Sequence, residues 1–373
     1  MCITANSRTL SSSGSEPTPA LHMDTPVESY REVLARAAQN GSPVVIRGSG
    51  SKSFYGRPVE GTPLDMTAQT GIIDYSPPEL VITARAGTRL ADLEDALAAQ
   101  DQMLPFEPPR FGPDATLGGT IACGLSGPRR PFTGSARDFV LGITCINGRG
   151  ELLRFGGQVM KNVAGYDVSR TLTGSFGTLA LMLEISLKVL PRAKHELTLC
   201  RPASESEAIA LFNRWAGKPL PLSAAAHVDG NIHVRLSGFE RGVASAADVV
   251  GGEEVQDGNA FWQGLREQTH SFFTGDQPLW RVSAPPASAP LQIEGETLLD
   301  WGGAQRWIRT DQPADVLRRV ASAAGGHATR FRDNDRDDVF HPLPAPLLAL
   351  QQRLKASFDP AGILNPGRMY PGL

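Results

Sequence analysis

Three glycine-rich stretches, each set against a short apolar run, constrain this chain more than any other feature. They are PVVIRGSGSK (43–52), ATLGGTIACGLSGPRRPFTGSARD (115–138) and KNVAGYDVSRTLTGSFGTLA (161–180). Backbone without a Cβ serves where a chain turns sharply or lies against a flat ligand. In the first stretch a strand ends in Gly48 and Gly50, flanked by Arg47 and Lys52, and offers clustered N–H donors to a phosphate. An ordinary glycine turn is the competing reading there. A G-x-G-x-x-G dinucleotide fingerprint is not, because the third glycine is missing and Gly56 and Pro58 stop a helix. In the second stretch Gly118 and Gly119 admit a pyrophosphate or ring, and Arg129, Arg130 and Arg137 balance charge; a surface loop is the alternative. The third repeats the pattern with Gly165, Gly174 and Gly177 beside Thr173, Ser175 and Thr178. Three such stretches in one region point to a single large cofactor rather than three unrelated loops.

The rest of the chain narrows the class. Its 373 residues suggest two or three domains, and 41% hydrophobic content suits a packed core. A net charge of −3 leaves no basic footprint for nucleic acid. The most apolar run, Leu179 to Leu190, is broken by Glu184 and Lys188, so no direct membrane insertion is expected. Cys2, Cys123, Cys145 and Cys200 form no CxxC pair, which excludes a cysteine-held zinc or iron–sulfur site. Residues 1–22 read as a disordered tail without a secretory signal, and the expected location is cytoplasmic.

Helices are expected at Val27 to Gln39, Arg89 to Gln100 with Thr88 as N-cap, Ser204 to Trp215, Phe261 to His270, Asp315 to Ala324 and Leu347 to Ser357. Strands are expected at Pro43 to Ile46, Leu80 to Ala86, Phe139 to Ile146 and Glu151 to Phe155, the last two joined through Asn147-Gly148. Leu104 to Pro113 holds four prolines and must be irregular. This is an α+β chain, divided at 23–193, 194–345 and 346–373.

The three stretches, in this order, resemble the FAD-binding domain of the vanillyl-alcohol oxidase (PCMH-type) family, and FDPAGILNPGRMY (358–370) matches its C-terminal signature. LSGFERG (236–242), FFTGDQPLWRVSAPP (272–286) and LLDWGGAQRW (298–307) resemble the FAD-binding subunits of bacterial glycolate oxidase (glycolate dehydrogenase). The resemblance implies a two-subdomain FAD domain, a smaller α+β cap with an antiparallel sheet, and a C-terminal segment returning to the FAD domain. It implies oxidation of glycolate, or another short 2-hydroxy acid such as D-lactate, to its oxo acid. The partners implied are a larger homologous FAD subunit and an iron–sulfur subunit, with membrane association only peripheral and through that complex. The implied cofactor residues are Arg47, Gly48, Ser49, Gly50, Ser51 and Lys52; Thr116, Gly118, Gly119, Gly124, Arg137 and Asp138; and Lys161, Asn162, Gly165, Tyr166 and Gly177. Ser51 stands where covalent members often carry a flavin-linking His, so noncovalent FAD is expected. Two other readings stay open: a flavin-free assembly subunit, and a stand-alone FAD-dependent alcohol or hydroxy-acid oxidase.

HVDGNIH (227–233) faintly echoes a metal-binding stretch of related dehydrogenases. A two-residue Asp229-Gly230 turn pairs residue 227 with 232 and 226 with 233, which sends His227 and His233 to opposite sheet faces. No metal is therefore expected. Arg281 and Arg306, each beside a tryptophan, are the candidates for gripping a substrate carboxylate. His270, His327 and His341 are unranked candidates for the base, and DNDRDD (333–338) reads as a solvated loop.

Overall fold

The computed structural model describes residues 25–157 and 168–373. The first half is built on a five-stranded antiparallel sheet, in the order Ile72–Ser76, Val81–Arg85, Ala180–Lys188, Val140–Asn147 and Leu152–Gly156. Ala180–Lys188 lies in the middle and is buried on both faces, which is why it reads as a continuous apolar run. Ala180 and Met182 face a core containing Leu90, Leu93, Leu97, Phe106, Leu117 and Ile121. Leu181 and Leu183 face the other way, against Tyr30 and Leu34 of the first helix and Val44 and Leu64. A register shift between Thr144 and Cys145, opposite this strand, reverses the alternation, so Ile185 and Leu187 return to the first core. A separate parallel pair, Val44–Arg47 with Thr62–Asp65, carries the first glycine loop.

Local chemistry explains the element ends. The first helix runs Thr25–Asn40. The next covers Leu90–Ala98, and its N-cap is Arg89 rather than the expected Thr88. Thr88 is engaged elsewhere: its Oγ1 accepts from the Gly71 amide at 2.9 Å. Asn147 does open a hairpin, but through a longer loop in which its Oδ1 accepts from the amides of Arg149 and Glu151 at 2.9 and 3.0 Å.

The second half, called the cap below, contains an eight-stranded antiparallel sheet, in the order Glu253–Glu254, His195–Pro202, Asn231–Gly238, Leu222–Val228, Glu296–Asp300, Gln305–Arg309, Leu279–Ser283 and His327–Arg332. Helices Glu205–Ala216 and Glu240–Val250 cover one face through Phe212, Trp215, Ala225, Ile232 and Val234. Ser204 starts the former with a capping box, its Oγ paired with Glu207. Alternate residues Ala224, Ala226 and Val228, with Trp262, Trp307 and Phe331, face the first half and meet Tyr55, Leu125 and Phe176 there. The final helix, Ala345–Phe358, leads a tail back onto the first half, where Val44 and Leu364 form a bridge.

The hairpin register at the histidines is the one derived from the turn: His227 opposes Ile232 and Ala226 opposes His233. His227 Nε2 lies 2.9 Å from the Ala203 carbonyl, while the His233 ring stacks on Phe261 at 3.9 Å between centroids. Among the described residues no group of His, Cys, Asp and Glu is arranged to hold a metal ion. Among the described residues, no helix is long and apolar enough to cross a membrane.

Candidate functional site

The first loop, the start of helix Leu117–Cys123 and the C-terminal tail enclose a groove of about 330 Å³. Close backbone approach makes the groove. A Cβ on Gly48 would collide with the Thr116 hydroxyl, and one on Gly118 would come within 2.9 Å of Ala86 Cβ. Gly119 differs: its Cβ would meet only Thr116 Oγ1 at 3.1 Å, and the residue lines the groove. Asn365 ties the walls together, accepting from the Ile46 amide at 2.8 Å and donating to the Phe176 carbonyl at 2.7 Å. A deeper extension, bordered by Met66, Gly118, Gly177 and Met182, continues behind Thr116.

Charge identifies what fits. Arg47, Lys52, Arg336 and Arg368 line the groove, and among the described residues no carboxylate does. Lys52 is buried, donates to the Arg110 carbonyl at 3.1 Å, and is held below its ordinary pKa by burial. Arg368 donates to the carbonyls of Arg57 and Tyr55 at 2.7 and 2.6 Å and has no carboxylate partner among the described residues; burial pulls it down to about 10. Carbonyls satisfy its N–H groups but leave its charge without a counter-ion, a costly arrangement unless an anion joins it. The residues therefore fit the diphosphate of the implied FAD, with glycine backbone on one wall and cations on the other.

Cys123 and Phe176 also border a second chamber of about 330 Å³ at the cap junction. Its wall carries Tyr55, Gly124, Arg130, Arg137, Arg281 and Trp301. Two guanidinium groups lie near the Trp301 ring, Arg130 at 4.2 Å and Arg281 at 5.6 Å from its centroid. Trp301 is held by its indole N–H, which donates to the Gly127 carbonyl at 3.0 Å, and by a left-handed φ of 56° at the strand end. Arg130 lies below its ordinary pKa through burial and the nearby Arg281 charge. Among the described residues the chamber wall holds three arginines and no His, Asp or Glu. Such a wall favours an anionic ligand.

The expected cofactor residues Arg47 to Lys52, Thr116, Gly118, Gly119 and Gly177 lie on the groove or its extension. Gly124 and Arg137 lie on the chamber instead. Asp138 borders neither space, because its carboxylate accepts from the Ser135 amide and hydroxyl at 2.8 Å and caps a short helix. Lys161, Asn162, Gly165 and Tyr166 lie outside the described residues. Of the two carboxylate candidates, Arg281 reaches the chamber and Arg306 does not. Arg306 is fully buried and donates to the carbonyls of Gly303, Ala289 and Ser288 at 3.2, 2.7 and 2.6 Å, pinning the proline-rich linker. None of His270, His327 and His341 borders the groove or chamber; His270 caps a turn, accepting from the Phe272 amide, and the rings of the other two sit 6.5 Å apart. Arg336, Asn365 and Arg368 also line the groove, beyond the residues expected from the sequence. Asn365 and Arg368 sit in the quoted C-terminal signature, so a signal for them existed; DNDRDD carried none, since mixed charge reads as solvated.

A matching family model, described as an FAD binding domain, covers residues 25–156. Glycolate oxidase subunit GlcE of Escherichia coli is 50% identical over 92% of this chain and 97% of its own length. Glycolate oxidase subunit GlcD of Bacillus subtilis is 31% identical, covering 45% of this chain and 36% of its own length. A solved alkyldihydroxyacetonephosphate synthase superposes with a TM-score of 0.63 at 14% identity, over 91% of this chain and 74% of that one, which shows the shared fold. Groove, charge and likeness agree: the chain belongs to the GlcE-type family of glycolate oxidase subunits, FAD-dependent oxidoreductases.

Proposed function

We propose that this chain is the flavin-bearing subunit of a glycolate-oxidising complex, acting on short 2-hydroxy acids with glycolate first among them. The observation that carries the substrate class is the arginine-walled chamber at the end of the groove, together with the likeness to GlcE. Arg281 and Arg130, both beside Trp301 on the chamber wall, grip the carboxylate and fix how the α-carbon presents its C–H bond. Arg281 and Trp301 form the cap side of the chamber and shield the bound acid from water. Bound FAD supplies the hydride acceptor. A larger homologous flavin subunit and an iron–sulfur subunit, carrying electrons onward, complete the complex; this chain has no cysteine cluster for such a centre. Ser51 in the first loop favours noncovalent attachment of the flavin.

A second reading has its own support. The chamber wall offers no histidine or carboxylate base among the described residues, which favours oxidation in the sister subunit and electron relay here. Rapid mixing of the complex with glycolate, without oxygen, separates the two. If this chain binds substrate, Arg281→Ala raises KM about 10- to 100-fold, the loss of one or two charged hydrogen bonds, with FAD content unchanged. An unchanged KM, with the flavin still reduced, assigns the chemistry to the partner.

A further inference from the structure

We propose that Arg336 of the cap forms the second cationic jaw of the diphosphate site, which makes the acidic segment Asp333 to Asp338 a latch that retains the cofactor. The inference rests on the groove being the FAD site. It begins with the way the segment divides its charges. Three of its four aspartates pair with cap arginines: Asp333 and Asp335 with Arg330, the former at 3.4 Å, and Asp338 with Arg318. Both arginines lie against the Trp280 ring, at 5.2 and 6.0 Å from its centroid, so the anchors rest on the cap core.

Arg336 turns the other way. It has no carboxylate partner among the described residues, and it crosses to the first half to donate to the carbonyls of Gly56 at 3.0 Å and Ser53 at 2.6 Å. Those carbonyls immediately follow the glycine loop, and the same side chain lines the groove with Ser49, Lys52 and Arg368. Arg332, at the end of the preceding strand, stacks on Phe54 at 4.2 Å and holds the receiving segment from the cap side. Two arginines distant in sequence, 336 and 368, thus converge on the Ser53 carbonyl. Four cations around one groove repel each other, and only two of them are matched by a diphosphate's formal charge near neutrality. Two come from the first half; Arg336 is the one delivered by the cap. A ligand with that dianion therefore stabilises the latched cap, and the latched cap in turn slows release of the ligand.

The test uses the full-length protein stripped of flavin, titrated with FAD and with riboflavin, which lacks both phosphates. Arg336→Gln weakens FAD binding about 10- to 100-fold and hastens FAD release by a similar factor, while leaving riboflavin binding unchanged. Arg336→Lys, which keeps the charge without the fork, falls between. The melting temperature of the flavin-free protein is read alongside. FAD affinity and release equal to wild type, or FAD and riboflavin weakened alike with a lowered melting temperature, would show that Arg336 only joins two pieces of backbone and would overturn the latch. Wild-type protein that binds neither ligand would instead overturn the assignment of the groove.

Discussion

Asp300 is a buried carboxyl without an ion-pair partner among the described residues. It accepts from the Trp301 amide at 2.7 Å and from the Gln305 side chain at 3.2 Å, and burial pushes its pKa up to about 7. It holds the backbone amide of Trp301, whose ring lies near Arg130 and Arg281 on the chamber wall, so its charge state bears on the chamber. Because the folded value lies above the ordinary 3.8, the folded protein holds this proton more tightly than the unfolded chain. Stability from this group is full below about pH 4, falls as pH rises toward 7, and stays low above it. The ceiling on the loss is roughly 4 kcal/mol, from about 1.4 kcal/mol per pKa unit. Asp300→Asn retains an acceptor for Trp301 and removes the titration. Denaturant unfolding between pH 5 and 8 is expected to show a flatter profile and equal or higher stability at pH 8; an unaltered slope contradicts this. Arg306 shows the limit of sequence at this scale. A guanidinium beside a tryptophan suits a carboxylate as well as three carbonyls, and only the linker's folded path decides.

At the scale of elements, the returning helix Ala345–Phe358 secures the groove's far wall through one ion pair. Lys355 donates to Asp359 at 2.8 Å and to the carbonyls of Thr178 and Leu364 at 2.7 and 2.8 Å. The Asp359 carboxylate in turn accepts from the amides of Ile363 and Leu364 at 3.2 and 2.8 Å, just before Asn365. Lys355→Met leaves Asp359 buried and uncompensated, and is expected to cost about 3–5 kcal/mol in denaturant unfolding. A loss under about 1 kcal/mol would show that the pair is not what holds the tail. Elements whose geometry is local were legible in the sequence. The Asp229-Gly230 turn fixed the histidine register, and the helix expected from Ser204 to Trp215 is present as Glu205–Ala216 with Ser204 as its N-cap. The Thr88 cap was not, because its hydroxyl is claimed by Gly71, a partner brought near by the fold. The glycine stretches were legible because missing side chains are visible in any sequence.

For the whole molecule, the question is how two halves form one site. Glu107, in the proline-rich loop, accepts from Arg129 at 3.0 Å and from Arg235 of the cap at 2.8 Å, and Arg129 reaches Glu196 of the cap. Burial raises the Glu107 carboxyl, but Arg235 and Arg129 outweigh it and hold it below the usual range. This network fixes the segment that carries Gly127 and Arg130, and through them Trp301 and the chamber. Such long-range pairing leaves no pattern in the sequence, so the cap junction and Arg336 emerged only from the fold. The central claim is that glycine backbone and converging cations make a groove for FAD. Titration of the flavin-free, full-length protein with FAD, followed by flavin fluorescence, tests it most directly with Gly119→Leu as the comparison. A Cβ there meets only the Thr116 hydroxyl, at 3.1 Å, and Gly119 lines the groove, so the longer side chain is expected to take groove space with the fold retained, which the melting temperature checks. One FAD per wild-type chain is expected, with binding at least about 100-fold weaker in the variant and melting temperatures alike. FAD binding of equal strength in both proteins would contradict it.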